Sequence, residues 1–487
     1  MKKISGYVLI IMLFLSILVF AVPASMSAQA KQVRVTLPSF SVTLNGIVID
    51  NAYRQYPLFV YRGITYFPMT YYDNRLLGLE TNWSPETGLA IDQTGVTAAY
   101  REGRGEAKNS ESLTAAIRTG EVLLNGRAVS ADDGGEYPFL TFRNITYFPL
   151  TWKYAVEEFG WSYHFDVKSG LVIQSSNPQV ERLPVQSAEA GKSIVANGYH
   201  YYLGDQGEVM QAPLGEPKQA KMLFQLPLWS EGDGTTYVLA RLVFDRGVVT
   251  LIYHQGGGVM GSDHDLVLNA DGVFEEVASG YLLHRTFGDR TVRVYQGARR
   301  DPGNLMLKAD NQDYRVIGDP DLLYGYNFSI ENNIERGTES EDLYLADNRI
   351  YVMAIQYGGK PYSRVHSVDL ATNETAVVSD LRTNSFAVNG DSVYVVSDDR
   401  LYRIPTSGGS ETLVPLEGKV SWIRAEEGYL ICTFIREDTT PYGMIILDET
   451  GSVVFKTSDQ VASVSVHEGE IVYMETTSGF MYTARLK

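Results

Sequence analysis

The sequence predicts a mostly β protein in three parts: an export leader, two copies of a small α+β unit, and a long series of short β-sheets. Three observations support this. The 487 residues include 32 Tyr and 45 Gly, a composition that favours strands and turns over helices. A five-residue motif near residue 64 recurs near residue 145. A turn-and-strand pattern then recurs from about residue 190 to the C-terminus.

Charge and cysteine content exclude several classes of protein. With 41 Lys and Arg against 58 Asp and Glu, the formal net charge is −17. A nucleic-acid binder needs a basic face, so nucleic acid is not an expected partner. The single cysteine, Cys432, excludes a disulfide framework and a cysteine-based zinc cluster.

The N-terminus is predicted to be a signal peptide, residues 1–30. Lys2 and Lys3 precede an apolar run of 16 residues from Tyr7 to Val22, and Ala28-Gln29-Ala30 supplies a cleavage pattern. A retained anchor is the alternative, but a helix needs about 20 apolar residues to cross a bilayer. We expect a secreted, extracellular protein with no membrane span after cleavage, either free or retained at the cell wall.

Two copies of one unit follow the leader, predicted at residues 31–104 and 105–180. Leu44-Asn45-Gly46 recurs as Leu124-Asn125-Gly126, and Ile64-Thr65-Tyr66-Phe67-Pro68 recurs as Ile145-Thr146-Tyr147-Phe148-Pro149. The offset between the copies drifts only from 80 to 82 residues, which is what a duplication leaves.

Each copy is expected to fold as hairpin, strand, helix and hairpin. Asn-Gly supplies the positive φ values of a tight hairpin turn. The Ile-Thr-Tyr-Phe run is β-prone and ends at a proline. Helices are predicted over Met69–Leu77 and Leu150–Phe159, with Thr70 and Thr151 as N-caps.

These motifs, in this order, resemble the copper amine oxidase N-terminal domain, or stalk domain, of bacterial exported proteins. The resemblance covers roughly residues 35–178 and implies an accessory, surface-presenting module. The catalytic part of an amine oxidase would need an Asn-Tyr-(Asp/Glu) cofactor precursor and a His-x-His copper pair, and the chain contains neither string. The resemblance therefore implies no oxidase activity.

Residues 185–487 are predicted to form a β-propeller. A turn pair followed by an apolar strand begins seven times at intervals of 38 to 59 residues, near Gly198, Gly247, Gly288, Asp347, Gly390, Gly428 and Gly469. Repeats of this length suit four-stranded blades, which need neighbours to bury their faces. Seven blades are expected, with six or eight as alternatives because the second and third repeats are degenerate.

The last repeat ends after three strands, so a strand from Val180 to Val185 is expected to complete it and close the ring. The clearest repeat, with Val393-Tyr394-Val395-Val396 and Leu401-Tyr402-Arg403-Ile404, resembles the bacterial domain family related to low-density lipoprotein receptor type propellers.

Catalytic signatures are absent from the sequence. There is no G-x-S-x-G elbow, H-E-x-x-H helix or phosphate-binding loop. Asp263-His264-Asp265 contains metal-ligand residue types, but alternate residues of a strand share a face, so the two acids would lie together with the histidine on the opposite face. Because this is poor geometry for a metal site, surface positions are the favoured interpretation. We predict no catalytic residue, no cofactor and no metal site.

One insertion, roughly Asp319–Asp342, is the candidate ligand-binding feature. It carries Tyr324, Tyr326 and Phe328, and long loops in compact β-domains are often functional. As a rim loop, its aromatic rings would stack on a sugar or hold a peptide. The alternative is that these aromatics belong to an ordinary inner strand.

Two functions are compatible with these observations. The first is a non-catalytic binding or scaffold protein, whose stalk-like units present the propeller to an extracellular glycan, peptide or envelope protein. The second is an extracellular enzyme acting on polysaccharide with paired carboxylates in the propeller funnel. The absence of catalytic motifs favours the first, although a fold alone does not decide between them.

Overall fold

The structure is a computed structural model that describes residues 30–486, with gaps at 132–135, 228, 231–235, 238, 257–260, 297–300, 310–311, 332–333, 357–359, 361 and 438–439. The predicted leader therefore lies outside the described residues, apart from Ala30. The described chain is mostly β, as predicted.

The two sequence copies form one body, the N-terminal body, around a shared six-stranded closed barrel in the order β1-β4-β5-β12-β11-β8. Its strands are β1 (Gln32–Thr36), β4 (Phe59–Tyr61), β5 (Ile64–Pro68), β8 (Ser112–Ile117), β11 (Leu140–Phe142) and β12 (Ile145–Pro149). Equivalent residues of the copies pair with each other, Arg34 with Thr114 and Phe67 with Phe148. The copies are thus related by an approximate two-fold axis through the barrel.

The remaining hairpins are exchanged between the copies. One sheet has the order β13-β14-β2-β3 and the other the order β10-β9-β7-β6, so each joins the last hairpin of one copy to the Asn-Gly hairpin of the other. Their strands are β2 (Val42–Leu44), β3 (Ile47–Val48), β6 (Leu79–Ser84), β7 (Gly88–Gln93), β9 (Glu121–Leu124), β10 (Arg127–Ser130), β13 (Ser162–Asp166) and β14 (Gly170–Gln174). The predicted boundary at residue 104 separates the copies in sequence, whereas strands of both copies build these sheets.

Local signals in the first copy act as the sequence predicts. Asn45 and Gly46 have φ values of 44° and 81°, the left-handed pair that a tight hairpin requires. Helix α1 (Tyr71–Leu77) begins after Thr70, whose hydroxyl accepts from the Asp73 amide, and ends at Gly78 with φ 78°.

The second predicted helix differs from the prediction. Only Lys153–Glu158 is helical, and it is a π-helix, in which the Phe159 amide donates to the Tyr154 carbonyl at 3.1 Å. The wider turn places Phe159 and Trp161 in the core, with their rings stacked at a centroid distance of 4.9 Å.

Residues 181–485 form a series of antiparallel sheets in chain order. The seven larger ones are β16-β17-β18-β19, β22-β23-β24-β25, β26-β27-β28-β29, β30-β34-β35-β36 with β33 also on β34, β37-β38-β39-β40, β41-β42-β43-β44, and β45-β46-β47 with β15.

The strand bounds, in chain order, are β15 (Glu181–Gln186), β16 (Ser193–Ala196), β17 (Tyr199–Leu203), β18 (Glu208–Pro213), β19 (Lys221–Gln225), β20 (Trp229–Ser230), β21 (Thr236–Tyr237), β22 (Leu239–Asp245), β23 (Val248–Gln255), β24 (Ser262–Leu268), β25 (Phe274–Ser279), β26 (Leu282–Phe287), β27 (Arg290–Tyr295), β28 (Leu305–Ala309), β29 (Arg315–Val316), β30 (Leu322–Tyr324), β31 (Tyr326–Glu331), β32 (Ile334–Glu339), β33 (Leu343–Ala346), β34 (Arg349–Gln356), β35 (Arg364–Asp369), β36 (Thr375–Val377), β37 (Ser385–Asn389), β38 (Ser392–Ser397), β39 (Arg400–Pro405), β40 (Thr412–Leu413), β41 (Val420–Glu426), β42 (Tyr429–Phe434), β43 (Met444–Leu447), β44 (Val453–Thr457), β45 (Val461–His467), β46 (Glu470–Glu475) and β47 (Phe480–Arg485).

This topology is that of a β-propeller. The first strands of successive sheets contact one another, β33 with β37, β37 with β41 and β41 with β45, while β22 contacts both β16 and β45. The series therefore returns on itself. The predicted closing strand is present as β15, which pairs with β47 of the last sheet.

The N-terminal body is joined to the propeller through residues 94–101. Thr97 forms a parallel bridge with Thr457 at the end of β44, and the Ala99 amide donates to the Asp459 carboxylate at 2.7 Å. Arg101 pairs with Glu475 at 2.9 Å. Val96 and Ala99 are buried in two different apolar clusters of the propeller, so the contact has both apolar and polar components.

Candidate functional site

A cavity of about 420 Å³, here called the central cavity, lies where the first strands of the propeller sheets converge. Residues of β22, β26, β33, β37 and β41, and of the segments beside them, line it. Its volume falls within the range of small-molecule sites. The central cavity is therefore the candidate functional site.

Asp245, at the end of β22, lies between two cavity arginines. Arg285 on β26 donates from Nη1 to Oδ2 of Asp245 at 2.6 Å, and Arg246 approaches the same oxygen at 3.3 Å. Burial raises the pKa of Asp245, but the two guanidinium groups outweigh burial and hold it below the usual range. Asp245 is therefore ionised at neutral pH.

Asp342, immediately before β33, has a different environment in the same cavity. Burial raises its pKa to about 7, and its carboxyl group accepts two long hydrogen bonds, from the Phe386 amide and the Ser340 hydroxyl, each at 3.5 Å. Two carboxyl groups of one cavity thus differ in protonation near neutral pH. In enzymes, such a difference lets one carboxyl group act as an acid and the other as a base.

A third charged group joins two neighbouring sheets of the ring. Arg424 on β41 donates to the Val464 carbonyl at 2.6 Å and lies 2.5 Å from Glu426. Burial raises the pKa of Glu426 to about 7, although its carboxylate accepts a hydrogen bond from the Val466 amide. Arg424 thus ties β41 to β45 at the centre of the propeller.

Uncharged groups complete the lining. Trp422 on β41 is half-buried and lines the cavity. Asn327 on β31 donates to the Asn384 carbonyl at 2.8 Å, which connects the inserted hairpin β31–β32 to the neighbouring sheet beside the cavity. An aromatic ring beside amide and carboxyl groups is suited to a polar ligand with apolar faces.

The residues predicted for the rim loop are placed differently. Tyr324 lies in β30 and Tyr326 in β31, at 0% and 3% exposure, so neither ring is presented to a ligand as the rim-loop hypothesis required. Asn304 fixes this segment, because its amide donates to the Tyr324 carbonyl at 2.8 Å. Phe328 is in β31, but its side chain lies outside the described part. The insertion divides the inner strand of its sheet, since β30 and β33 both pair with β34.

The acidic triplet at residues 263–265 is split between different partners. Asp263 pairs with His254 at 2.8 Å, and His264 pairs with Glu276 at 2.7 Å. Nowhere in the described part of the chain do three His, Cys, Asp or Glu side chains come together as metal ligands would.

The sequence did not single out the cavity residues, although a signal exists. Asp245-Arg246-Gly247 and Arg424-Ala425-Glu426 place charges in or beside an apolar first strand, just before the recurring turn. Charges at such inner positions require partners across the ring. A repeat alignment by itself cannot identify which of them meet.

Within the described residues, none of the helices has the length and apolar character needed to cross a bilayer.

Comparison with known proteins does not assign a family. No protein-family model matches the chain, and no curated protein matches it. Solved structures similar to it include BamB from Moraxella catarrhalis, with a TM-score of 0.35, 12% identity, and coverage of 63% of this chain and 98% of that one.

Two further similar structures are enzymes. The gluconolactonase XC5397 from Xanthomonas campestris has a TM-score of 0.29 and 12% identity, covering 64% of this chain and 90% of that one. A puromycin-hydrolysing peptidase from Mycobacterium tuberculosis has a TM-score of 0.39 and 12% identity, covering 65% of this chain and about half, 54%, of the peptidase. All three TM-scores are below 0.5, so these similarities carry no argument, and the propeller assignment rests on the strand topology.

Proposed function

We propose that this chain is an exported, non-catalytic binding protein, in which seven sheets act as the blades of a propeller and the central cavity holds a saccharide unit of an extracellular glycan. The N-terminal body, which resembles stalk domains in its motifs, presents the propeller. The observation that carries this proposal is the cavity of about 420 Å³ at the convergence of the first strands.

The lining of the cavity favours a glycan over the other expected partners, a peptide or an envelope protein. Proteins bind one another through surfaces of roughly 800 Å² on each partner, and extended peptides use grooves or sheet edges. A cavity of this size instead suits one or two sugar units. Trp422 offers an apolar face, while Asn384 and Asp342 offer hydrogen-bonding groups for hydroxyls.

Charge pairing within the cavity favours binding over catalysis. Asp245 is shared by two arginines, so its carboxylate is not free to attack or deprotonate a substrate, and Arg424 of the lining is paired with Glu426 beside the cavity. Such paired groups hold their geometry and recognise polar ligands.

Binding to a panel of glycan oligomers tests the proposal, using residues 31–487 and isothermal titration. Trp422→Ala should reduce affinity by at least about tenfold, because aromatic anchors carry much of the energy of a binding site. Trp83→Ala is the matched control, since Trp83 is 63% exposed on the N-terminal body. If only the Trp83 variant loses binding, the ligand site lies on the N-terminal body, and the proposal that the central cavity binds the glycan is rejected.

A polysaccharide-acting enzyme is the second candidate function. It is favoured by one observation, that Asp245 and Asp342 line the same cavity with pKa values displaced in opposite directions. Under this alternative, the protein should release new chain ends from a polysaccharide, and Asp342→Asn should abolish the release without weakening binding. Binding without release over a broad substrate panel would reject catalysis.

A further inference from the structure

Strand β6 (Leu79–Ser84) of the N-terminal body is an open sheet edge. It ends the sheet β10-β9-β7-β6, and among the described strands only β7 pairs with it. The backbone groups on its outer side are therefore available to another strand. Trp83, near the end of β6, is 63% exposed, although tryptophan is on average a highly buried residue.

This edge lacks the features that usually prevent the addition of a further strand. Its six residues pair with β7 without a bulge, and none of them is lysine or proline. Glu80 is the one charged residue of β6, and it forms an ion pair with Arg75 of the same copy at 2.7 Å. An unprotected edge beside an exposed aromatic ring is typical of an interface.

The equivalent strand of the second copy, β13 (Ser162–Asp166), differs from β6 in these respects. Phe165, at the position equivalent to Trp83, packs edge-to-face against Phe40 with a centroid distance of 5.1 Å. His164 lies 3.3 Å from Asp166, so this edge carries two ionisable side chains close together. Of the two equivalent edges, β6 is therefore the better suited to strand addition.

We propose that β6 pairs antiparallel with β6 of a second copy of this chain, around a two-fold axis at Asn82. In this register Trp83 lies opposite Thr81 of the second copy, and the two indole rings are diagonal neighbours on one face of the joined sheet. Glu80 lies opposite Ser84 of the second copy, so no like charges face each other. The strand is thus complementary to itself, as a two-fold interface requires.

The attachment of the propeller leaves room for this pairing. The base of the β6–β7 hairpin, at Leu79 and Gln93, leads directly into residues 94–101, which contact the propeller. Antiparallel pairing reverses the second hairpin, so the two propellers lie at opposite ends of an eight-stranded sheet. The pairing does not depend on what the central cavity binds.

The dimer should be weak, and added salt should strengthen it. One strand from each copy supplies far fewer than the roughly 20–30 residues per side of a stable interface. The net charge of −17 on each copy opposes association at long range, and salt screens this repulsion. A contact that depended on ion pairs would weaken with salt instead.

Sedimentation equilibrium of residues 31–487 over a range of concentrations tests the proposal, and we expect a reversible monomer–dimer equilibrium. Trp83→Ala should weaken the dimer by at least about tenfold, because aromatic residues at an interface carry much of its energy. Asn82→Lys should abolish the dimer, since it places two like charges opposite each other at the axis. His164→Lys, at the equivalent position of β13, is the matched control and should leave the dimer unchanged. Thermal melting of every variant separates loss of association from loss of folding.

A disulfide locates the contact. Cysteines introduced by Asn82→Cys would meet at the two-fold axis, where directly opposite residues of paired strands are within reach of a disulfide. Mild oxidation should therefore cross-link this variant into a dimer, whereas the His164→Cys control should remain uncross-linked. The native Cys432 is buried and does not compete.

Three results would overturn the proposal. The first is a protein that stays monomeric at every soluble concentration and at high salt. The second is a dimer that survives Asn82→Lys in a folded variant, and the third is cross-linking as efficient at position 164 as at position 82. None of these results bears on glycan binding in the central cavity, so this proposal can fail without the proposed function.

Discussion

The N-terminal body and the propeller both close a set of strands on itself, but they fill the enclosed space differently. In the barrel, one apolar cluster consists only of barrel residues, and the Phe59 and Tyr147 rings stack at 4.2 Å. At the centre of the propeller, arginines and carboxylates meet around a cavity. Six strands enclose only enough room for side chains, whereas a ring of sheets leaves a central space. A closed β structure therefore provides a binding site only when its side chains leave the centre open.

The largest loss of stability is expected from breaking a buried ion pair in the otherwise apolar N-terminal body. Asp73 forms a buried ion pair with Arg54, and the two side chains are 5% and 2% exposed. Asp73→Ala would leave the arginine charge buried without its partner, at a cost of roughly 3–5 kcal/mol. Urea unfolding followed by circular dichroism measures the loss.

The control for this change removes both charges. Arg54→Met combined with Asp73→Ala should recover most of the lost free energy of unfolding, because no charge then remains buried. If the double variant is as unstable as the single one, the ion pair itself stabilises the N-terminal body, beyond neutralising two buried charges.

The next largest loss of stability is expected at the contact between the N-terminal body and the propeller. The Asp459 carboxylate accepts from the Ala99 amide and from the Tyr473 hydroxyl, each at 2.7 Å. Asp459→Ala should cost about 2–3 kcal/mol, because two buried donors lose their acceptor. Hydrogen exchange should locate the loosening in residues 94–101 and the last two sheets. Asp391→Ala, at an exposed pair with Arg403, should change the stability far less, because solvent-exposed ion pairs contribute little.

The stability of the propeller should also depend on pH, because of Asp342 at its polar centre. The pKa of Asp342 is about 7 in the folded protein and about 3.9 in an unfolded chain, so the folded state holds the proton more tightly. Stability from this group is therefore complete below about pH 4 and is lost as pH rises to about 7. Asp342→Asn should be about 1–3 kcal/mol more stable than the parent at pH 8, and similar to it at pH 4. Melting curves at the two pH values test the sign, and a constant difference would refute it.

The smallest effect tests the approximate two-fold symmetry of the N-terminal body. Tyr71 donates to Ser458 of the propeller at 2.7 Å, whereas Trp152, at the equivalent position of the second copy, is 60% exposed. Tyr71→Phe should cost up to about 1 kcal/mol through the lost hydrogen bond. Trp152→Phe should change nothing measurable, and equal effects would argue against one-sided docking.

The sequence predicted features that depend on local chemistry. The Asn45-Gly46 turn, the Thr70 cap and the closing strand β15 follow from φ preference, capping and an incomplete last repeat. The seven recurring turns coincide with the first turns of the seven larger sheets, as in Asp347 and Asn348 between β33 and β34.

Features that depend on pairing between distant segments were not predictable in the same way. Each hairpin of the N-terminal body could pair within its own copy or with the other copy, and the same residues satisfy both. The central cavity depends on Arg285 and Asp245, which are 40 residues apart and meet only when two sheets are side by side. The burial of Tyr324 depends on the division of an inner strand by a hairpin, for which the sequence gives only the extra length.

The closing strand also determines an order of events during folding. Glu181 of β15 pairs with Thr483 of β47, about 300 residues later, and β15 follows closely after the last strand of the N-terminal body. During synthesis this strand exists long before its partner does, and such distant closure is costly and slow. The N-terminal body, complete by then, tethers the waiting strand at one point. Circularisation of the propeller is consequently the last step of assembly, and a chain truncated before β47 would retain an unpaired, aggregation-prone edge.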